Sequence, residues 1–178
     1  MATPHAPSPS PWKGAVAGLV GGLVGSFVMT QFHVALHGRG VTGAREPQSH
    51  RPVDPYEERD EDATTKAADV IATATTGESL TRREKQLAGP AVHYVFGGAT
   101  GALYGLLAEM KPGARAGRGL PFGLAVWVGA DEIALPAMGL TEGPTAYPAS
   151  VHAEMLAAHV VYGYTTDLFM RWTRRRLG

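Results

Sequence analysis

Charged side chains are absent from Gly14 to Leu36, 23 residues reading GAVAGLVGGLVGSFVMTQFHVAL. A helix over this stretch is roughly 34 Å long at 1.5 Å per residue, enough to cross the hydrocarbon core of a bilayer. Three further stretches have the same character. Ala88–Met110 is interrupted only by Glu109, Gly119–Thr141 carries Asp131 and Glu132, and Val151–Met170 holds Glu154 and Asp167 near its ends. The pattern predicts an all-α protein, a four-span transmembrane bundle with spans at about 14–36, 88–110, 119–141 and 151–170. A soluble four-helix bundle would keep a face of Glu, Lys and Arg along every helix. The first stretch has no such face, its non-apolar residues being Gly, Ser26, Thr30, Gln31 and His33. Its length and its single late Lys13 also set it apart from a secretory signal core.

Between the apolar stretches the chain changes texture. Residues 1–12 read as a disordered Pro/Ser-rich tail, and 13–178 as one membrane domain. The polar connection 38–87 starts loop-like, with Pro47, Pro52 and Pro55 blocking regular structure. From Asp62 to Thr75 it turns helical, with Ala63, Ala67, Val70, Ile71 and Ala74 on one face. Ser79 or Thr81 can then cap a short charged helix. Two short amphipathic helices lying on the membrane or capping the bundle, or a disordered loop, are the alternatives for this segment.

Composition narrows the function. The 178 residues hold 16 Lys and Arg against 16 Asp and Glu, a formal net charge of zero. That balance lacks the basic excess of a nucleic-acid binder, so no nucleic-acid partner is expected. With no cysteine, disulfides, iron–sulfur clusters and thiol nucleophiles are excluded. The mean hydropathy of −0.06 looks soluble only because charge is segregated along the chain.

Basic residues set an expected orientation. Lys111, Arg115 and Arg118 lie between spans two and three, and Arg171, Arg174, Arg175 and Arg176 follow span four, whereas the connection between spans three and four has none. Both termini are therefore expected in the cytoplasm, with Arg82, Arg83 and Lys85 as counter-evidence.

Glycine is spaced for helix contact. Gly14, Gly18 and Gly22 on span one and Gly97, Gly101 and Gly105 on span two advance in i+4 steps. In lipid, small residues that let backbones approach supply packing energy. Whether these faces meet within one chain, in a homo-oligomer or in a larger membrane complex stays open; the lipid bilayer is the one partner the pattern requires.

Ionisable groups within spans cost about 2.5–3.5 kcal/mol each, which makes them candidate functional residues. Counting turns puts His93, Glu132 and His159 at compatible depths in the half of the bundle away from the Arg-rich end. Asp131 supports them, although it and Glu132 point about 100° apart on a regular helix, so only one should face the core. His93, Asp131, Glu132 and His159 thus form the leading candidate site, with His33, His37, His152 and Glu154 as secondary candidates. Such a cluster could move protons, hold a metal or bind a cationic solute. Glu132 with His159 or His93 could equally be a structural hydrogen bond between helices. His152, Glu154 and Asp167 sit near interfaces, where solvation is the simple explanation. His33-x3-His37 has the spacing of a helical metal pair but no third in-phase ligand, so no metal and no cofactor is assigned.

No G-x-S-x-G elbow, H-E-x-x-H motif or P-loop occurs, and no enzyme activity is expected. The segments HYVFGGATGALYGLLAE (93–109), GLPFGLAVWVGADEIALPAMGLT (119–141) and HAEMLAAHVVYGYTTDLFMRW (152–172) resemble the YagU-like family. The matching elements are the His opening span two, the Tyr-Gly late in it, P-x-M-G-L-T at 136–141 and E-x4-H-x-V at 154–160. The resemblance implies a small bacterial inner-membrane protein with a domain of unknown function, linked to survival in acid. It carries no assigned catalytic residue, and the position of Asp131 holds His in a family member. The expected function is pH, acid-stress or solute homeostasis through the His/carboxylate cluster. The alternative is a structural or accessory subunit of a larger membrane complex, and a metal- or haem-dependent redox protein ranks third.

Overall fold

The computed structural model describes residues 10–37 and 62–178, which contain helices and turns and no strand. Helix α1 spans Pro11–His37, α2 Ala63–Thr76, α3 Arg82–Met110, α4 Leu120–Ala137 and α5 Ala149–Arg176. Short 3-10 turns at Pro112–Arg115 and Pro144–Ala146 lie in the last two connections. Most of the expected tail, 1–9, and the Pro-rich 38–61 lie outside the described residues. Pro11 and Trp12, assigned to that tail, already belong to α1: proline's fixed φ and missing N–H suit a first helical position.

Three helices, α1, α3 and α4, are long and apolar enough to cross a membrane. All four uncharged stretches are helical, but α5, with 28 residues, is too polar to count with them. The expected four spans are three on length and composition alone.

Two boundaries depart from expectation. The charged helix after Thr81 and span two form a single helix starting at Arg82. Its cap is reciprocal: the Thr81 hydroxyl accepts from the Glu84 N–H while the Glu84 carboxylate accepts from the Thr81 N–H. Pro90 lies inside this helix without ending it, at the loss of one backbone hydrogen bond. Span three ends at Ala137 rather than Thr141. The Leu140 N–H reaches the Leu135 carbonyl and the Gly139 N–H that of Pro136, with Gly139 at φ 70°. This is a Schellman ending, so P-x-M-G-L-T is first of all a helix stop.

Helix α1 lies between α3 and α5, α4 packs on α5, and α2 packs on α3. The α1–α3 contact runs antiparallel through glycine. A Cβ on Gly14, Gly18 or Gly22 would strike the carbonyl of Gly105, Gly101 or Gly97 respectively. Gly21 and Gly25 turn instead to α5, against Thr166, Met170 and Tyr162. The α4–α5 contact rests on a further glycine group, Gly119, Gly123 and Gly163. Gly119 is fixed twice over, by φ 82° and by the Gly163 carbonyl, which a side chain would hit.

Small and polar residues thus fill the inside, while Val16, Leu19, Leu23 and Phe27 of α1 and Leu120, Leu124, Val128 and Ile133 of α4 face outward. Helix α2 also departs from its expected face. Val70 and Ile71 are exposed and Ala68 is buried, because α2 approaches α3 through Thr65 at Gly89, where only small residues fit.

Candidate functional site

The two ends of the bundle are built differently. At the basic end the helices close on aromatic rings. Tyr104 of α3 stacks on Phe122 of α4 with centroids 4.4 Å apart, and Phe122 meets Tyr162 of α5 at 5.7 Å. Charges there are paired. Asp167, expected to be solvated, is buried; it accepts the Tyr104 hydroxyl at 2.8 Å and pairs with Arg171 at 2.7 Å, one helical turn on. Glu109 pairs with Arg174 at 2.6 Å and Arg115 at 3.6 Å, and accepts the Ser10 N–H.

Toward the other end α4 changes its winding. Residues Trp127–Ala134 form π-type turns, whose extra residue per turn re-aims side chains and is common at functional sites. Between this segment and α1, α3 and α5 lies a cavity of about 370 Å³. Its walls are largely apolar, with Met29, Phe96, Val126, Leu135 and Met155 among them, and Asp62, Ala63, Thr64 and Ala67 of the α2 end line it too. Six histidine and carboxylate side chains of the helices reach it: His33, His93, Asp131, Glu132, His152 and His159. A mostly apolar pocket of this size with a few converging polar groups is the usual form of a small-molecule site.

The four leading candidates therefore border one cavity, but they do not pair as expected. Asp131, not Glu132, faces His159: its Oδ2 stands 3.6 Å from His159 Nε2, beyond hydrogen-bond range. The buried His159 donates from Nδ1 to the Met155 carbonyl at 2.9 Å, which leaves the Nε2 lone pair turned to Asp131. Glu132 goes to His152, its Oε1 2.8 Å from Nδ1, while Nε2 donates to the Pro144 carbonyl at 2.9 Å. His93 stands on the α3 wall, its Nε2 buried and without a hydrogen-bond partner among the described residues. Below it, Tyr162 donates to the Gly97 carbonyl at 2.7 Å and meets Thr100 at 2.8 Å.

The secondary candidates sort differently again. His33 and His37 both reach Glu154 of α5, His33 Nδ1 at 3.3 Å and His37 Nε2 by a shorter contact. The third partner missing from the α1 spacing thus comes from another helix. Sequence reasoning also missed the Tyr104–Asp167 bond and the α2 end at the cavity. The Gly119-x3-Gly123 step was a visible signal for the α4–α5 contact.

Three apolar helices long enough to cross a membrane, packing through glycine and large hydrophobic side chains turned outward are compatible with a helical membrane protein. The chain belongs to a family of proteins of unknown function, DUF1440, which matches residues 65–168, more than half of its length. That membership agrees with the YagU-like resemblance. No curated protein and no solved structure matches the chain.

Proposed function

We propose that this is a four-span bacterial inner-membrane protein, not an enzyme, whose cavity responds to pH or to a small solute. The observation that carries the reading is the cavity itself, with His33, His93, Asp131, Glu132, His152 and His159 in walls that are otherwise mainly apolar. Helix α5 serves as the fourth span because its polar groups are answered inside the bundle. His152 has Glu132, Glu154 has His33 and His37, and Asp167 has Tyr104 and Arg171. Paired and inward-facing, such groups are tolerated in lipid. The basic residues around 111–118 and 171–176 favour a cytoplasmic position for that end and for both termini.

The working step is protonation of the His159–Asp131 pair. The His159 Nδ1 is held by the Met155 carbonyl, so a proton added to the pair sits between Nε2 and Asp131 Oδ2, where it turns the 3.6 Å approach into a hydrogen bond. That attraction draws the π-wound part of α4 toward α5 and changes the cavity. The accessory-subunit reading has less support: Gly14, Gly18, Gly22, Gly97, Gly101 and Gly105 are engaged with each other inside the chain.

The test is hydrogen exchange of residues 126–135 in reconstituted vesicles at pH 7.5 and 5. The wild type should gain protection on acidification, and Asp131→Asn and His159→Ala should each abolish the gain. An equal gain in both variants overturns the reading.

A further inference from the structure

We propose that His33, His37 and Glu154 form a site for one divalent transition-metal ion of the zinc class, bridging α1 and α5 at the end opposite Arg171 and Arg174. The site shares His33 with the cavity but does not depend on the His159–Asp131 pair, so it stands or falls without the pH-responsive reading.

The geometry comes from two helices. His33 and His37 are one turn apart in the last two turns of α1, so their rings project to one side. Glu154, in the second turn of α5, brings its Oε1 to both: 3.3 Å from His33 Nδ1, and in direct contact with His37 Nε2. The three donor atoms all lie within 4.8 Å of one another. Around a tetrahedral ion with bonds of about 2.0–2.1 Å, ligand atoms stand roughly 3.3 Å apart. The His33–Glu154 pair already has that separation, and a small rotation of the half-exposed His37 opens the other.

The donor chemistry selects the ion. Two imidazole nitrogens and one carboxylate oxygen, without a thiolate, suit Zn²⁺ and its Co²⁺, Ni²⁺ and Cu²⁺ analogues. Calcium and magnesium take sets of oxygen donors and are disfavoured. The side chains are 18%, 41% and 23% exposed, open enough for an ion to enter and for water to complete the shell. Three protein ligands and an open fourth position make a site that binds a further ligand rather than a closed structural one. His33 also lines the cavity, so the ion stands at its edge.

A hydrogen-bonded clamp without metal is the competing account, and glutamine separates the two. His33→Gln and His37→Gln keep a side chain able to hydrogen-bond to Glu154 but remove an imidazole ligand. Full-length protein in detergent, stripped with chelator, is titrated with Co²⁺ followed by visible absorption, then with Zn²⁺ as competitor. The expected result is one Co²⁺ per chain, displaced by Zn²⁺. Affinity should fall in each glutamine variant by more than the roughly 10–100-fold that losing an outer-shell partner costs. Helix content and elution volume of the metal-free variants should stay at wild-type values, and Asp131→Asn should still bind one ion. No saturable binding by the wild type overturns the site, as does binding that survives both glutamine substitutions. A variant that loses its fold is replaced by Glu154→Gln, whose retained affinity would equally overturn it.

Discussion

The same helices run through both halves of the bundle, yet one half is closed and the other holds a cavity. In the basic half, glycine brings α1 against α3 and α4 against α5 at backbone distance, aromatic rings close the centre, and each buried carboxylate has a cation. In the other half α4 leaves its regular winding, and Asp131 stands 3.6 Å from its nearest histidine nitrogen. Residue type does not separate structure from function here, since both halves carry carboxylates that face other helices. What separates them is completion. Asp167 has two partners in place and nothing left to do, whereas Asp131 faces a lone pair that a single proton converts into a partner.

The strongest way to break the closed half is to put a side chain into the glycine contact. Gly18→Leu keeps a good helix former, so its effect reports packing alone. The new Cβ would meet the Gly101 carbonyl and the Gly105 Cα, which are backbone and cannot swing aside. Destabilisation should reach or exceed the upper end of the about 1–3 kcal/mol typical of overpacking. Thermal unfolding in detergent measures it, and a wild-type midpoint would show that the ladder does not hold α1 to α3.

A smaller effect comes from removing one charge in each half. Arg171→Met leaves Asp167 buried with only the Tyr104 hydroxyl and should cost about 2 kcal/mol, less than the loss of a fully buried pair because Arg171 is partly exposed. Asp131→Asn removes no formed hydrogen bond and should cost less, read on the same unfolding curves. The reverse order would mean that the cavity half, not the basic half, holds the bundle together.

The two halves were unequally legible in the sequence. Missing charges marked α1, α3 and α4, because a helix long and apolar enough to cross a membrane carries few Asp, Glu, Lys or Arg. Glycine steps marked the contact faces for the same local reason. The pairings inside the cavity were not legible, since they depend on register between helices. A regular helix allows one of Asp131 and Glu132 to face inward; the π-type turns bring both to the cavity and give His159 to Asp131. Glu154 looked like an interfacial group because its partners sit more than a hundred residues away on α1. The continuity of α3 through Pro90 was hidden too, because the local rule that proline ends a helix was overridden by a capping box upstream and packing downstream.

The smallest predicted effect concerns the segment beside the cavity. Helix α2, whose first turn contributes to the cavity lining, is tied back to the start of α3 by Asp69. Its carboxylate accepts the Ser79 hydroxyl and the Leu80 N–H, both at 2.7 Å, and pairs with Lys85 at 3.3 Å. The Ser79 bond first, then the Leu80 bond and Lys85, hold the Asp69 carboxyl below its ordinary value. A carboxyl with a lowered folded value adds stability above the ordinary Asp value of about 3.9 and loses it as pH falls through the folded one. Protection of the Leu80 amide, corrected for intrinsic exchange, should therefore hold from neutral pH down to about pH 4 and fall below it. In Asp69→Ala that protection should be weak at neutral pH and show no further step in acid. A step retained in Asp69→Ala would assign the acid sensitivity to another group. A wild-type plateau extending well below pH 4 would mean that α2 stays in place by its contacts at Gly89 alone, and that any acid response of the cavity half arises within the bundle.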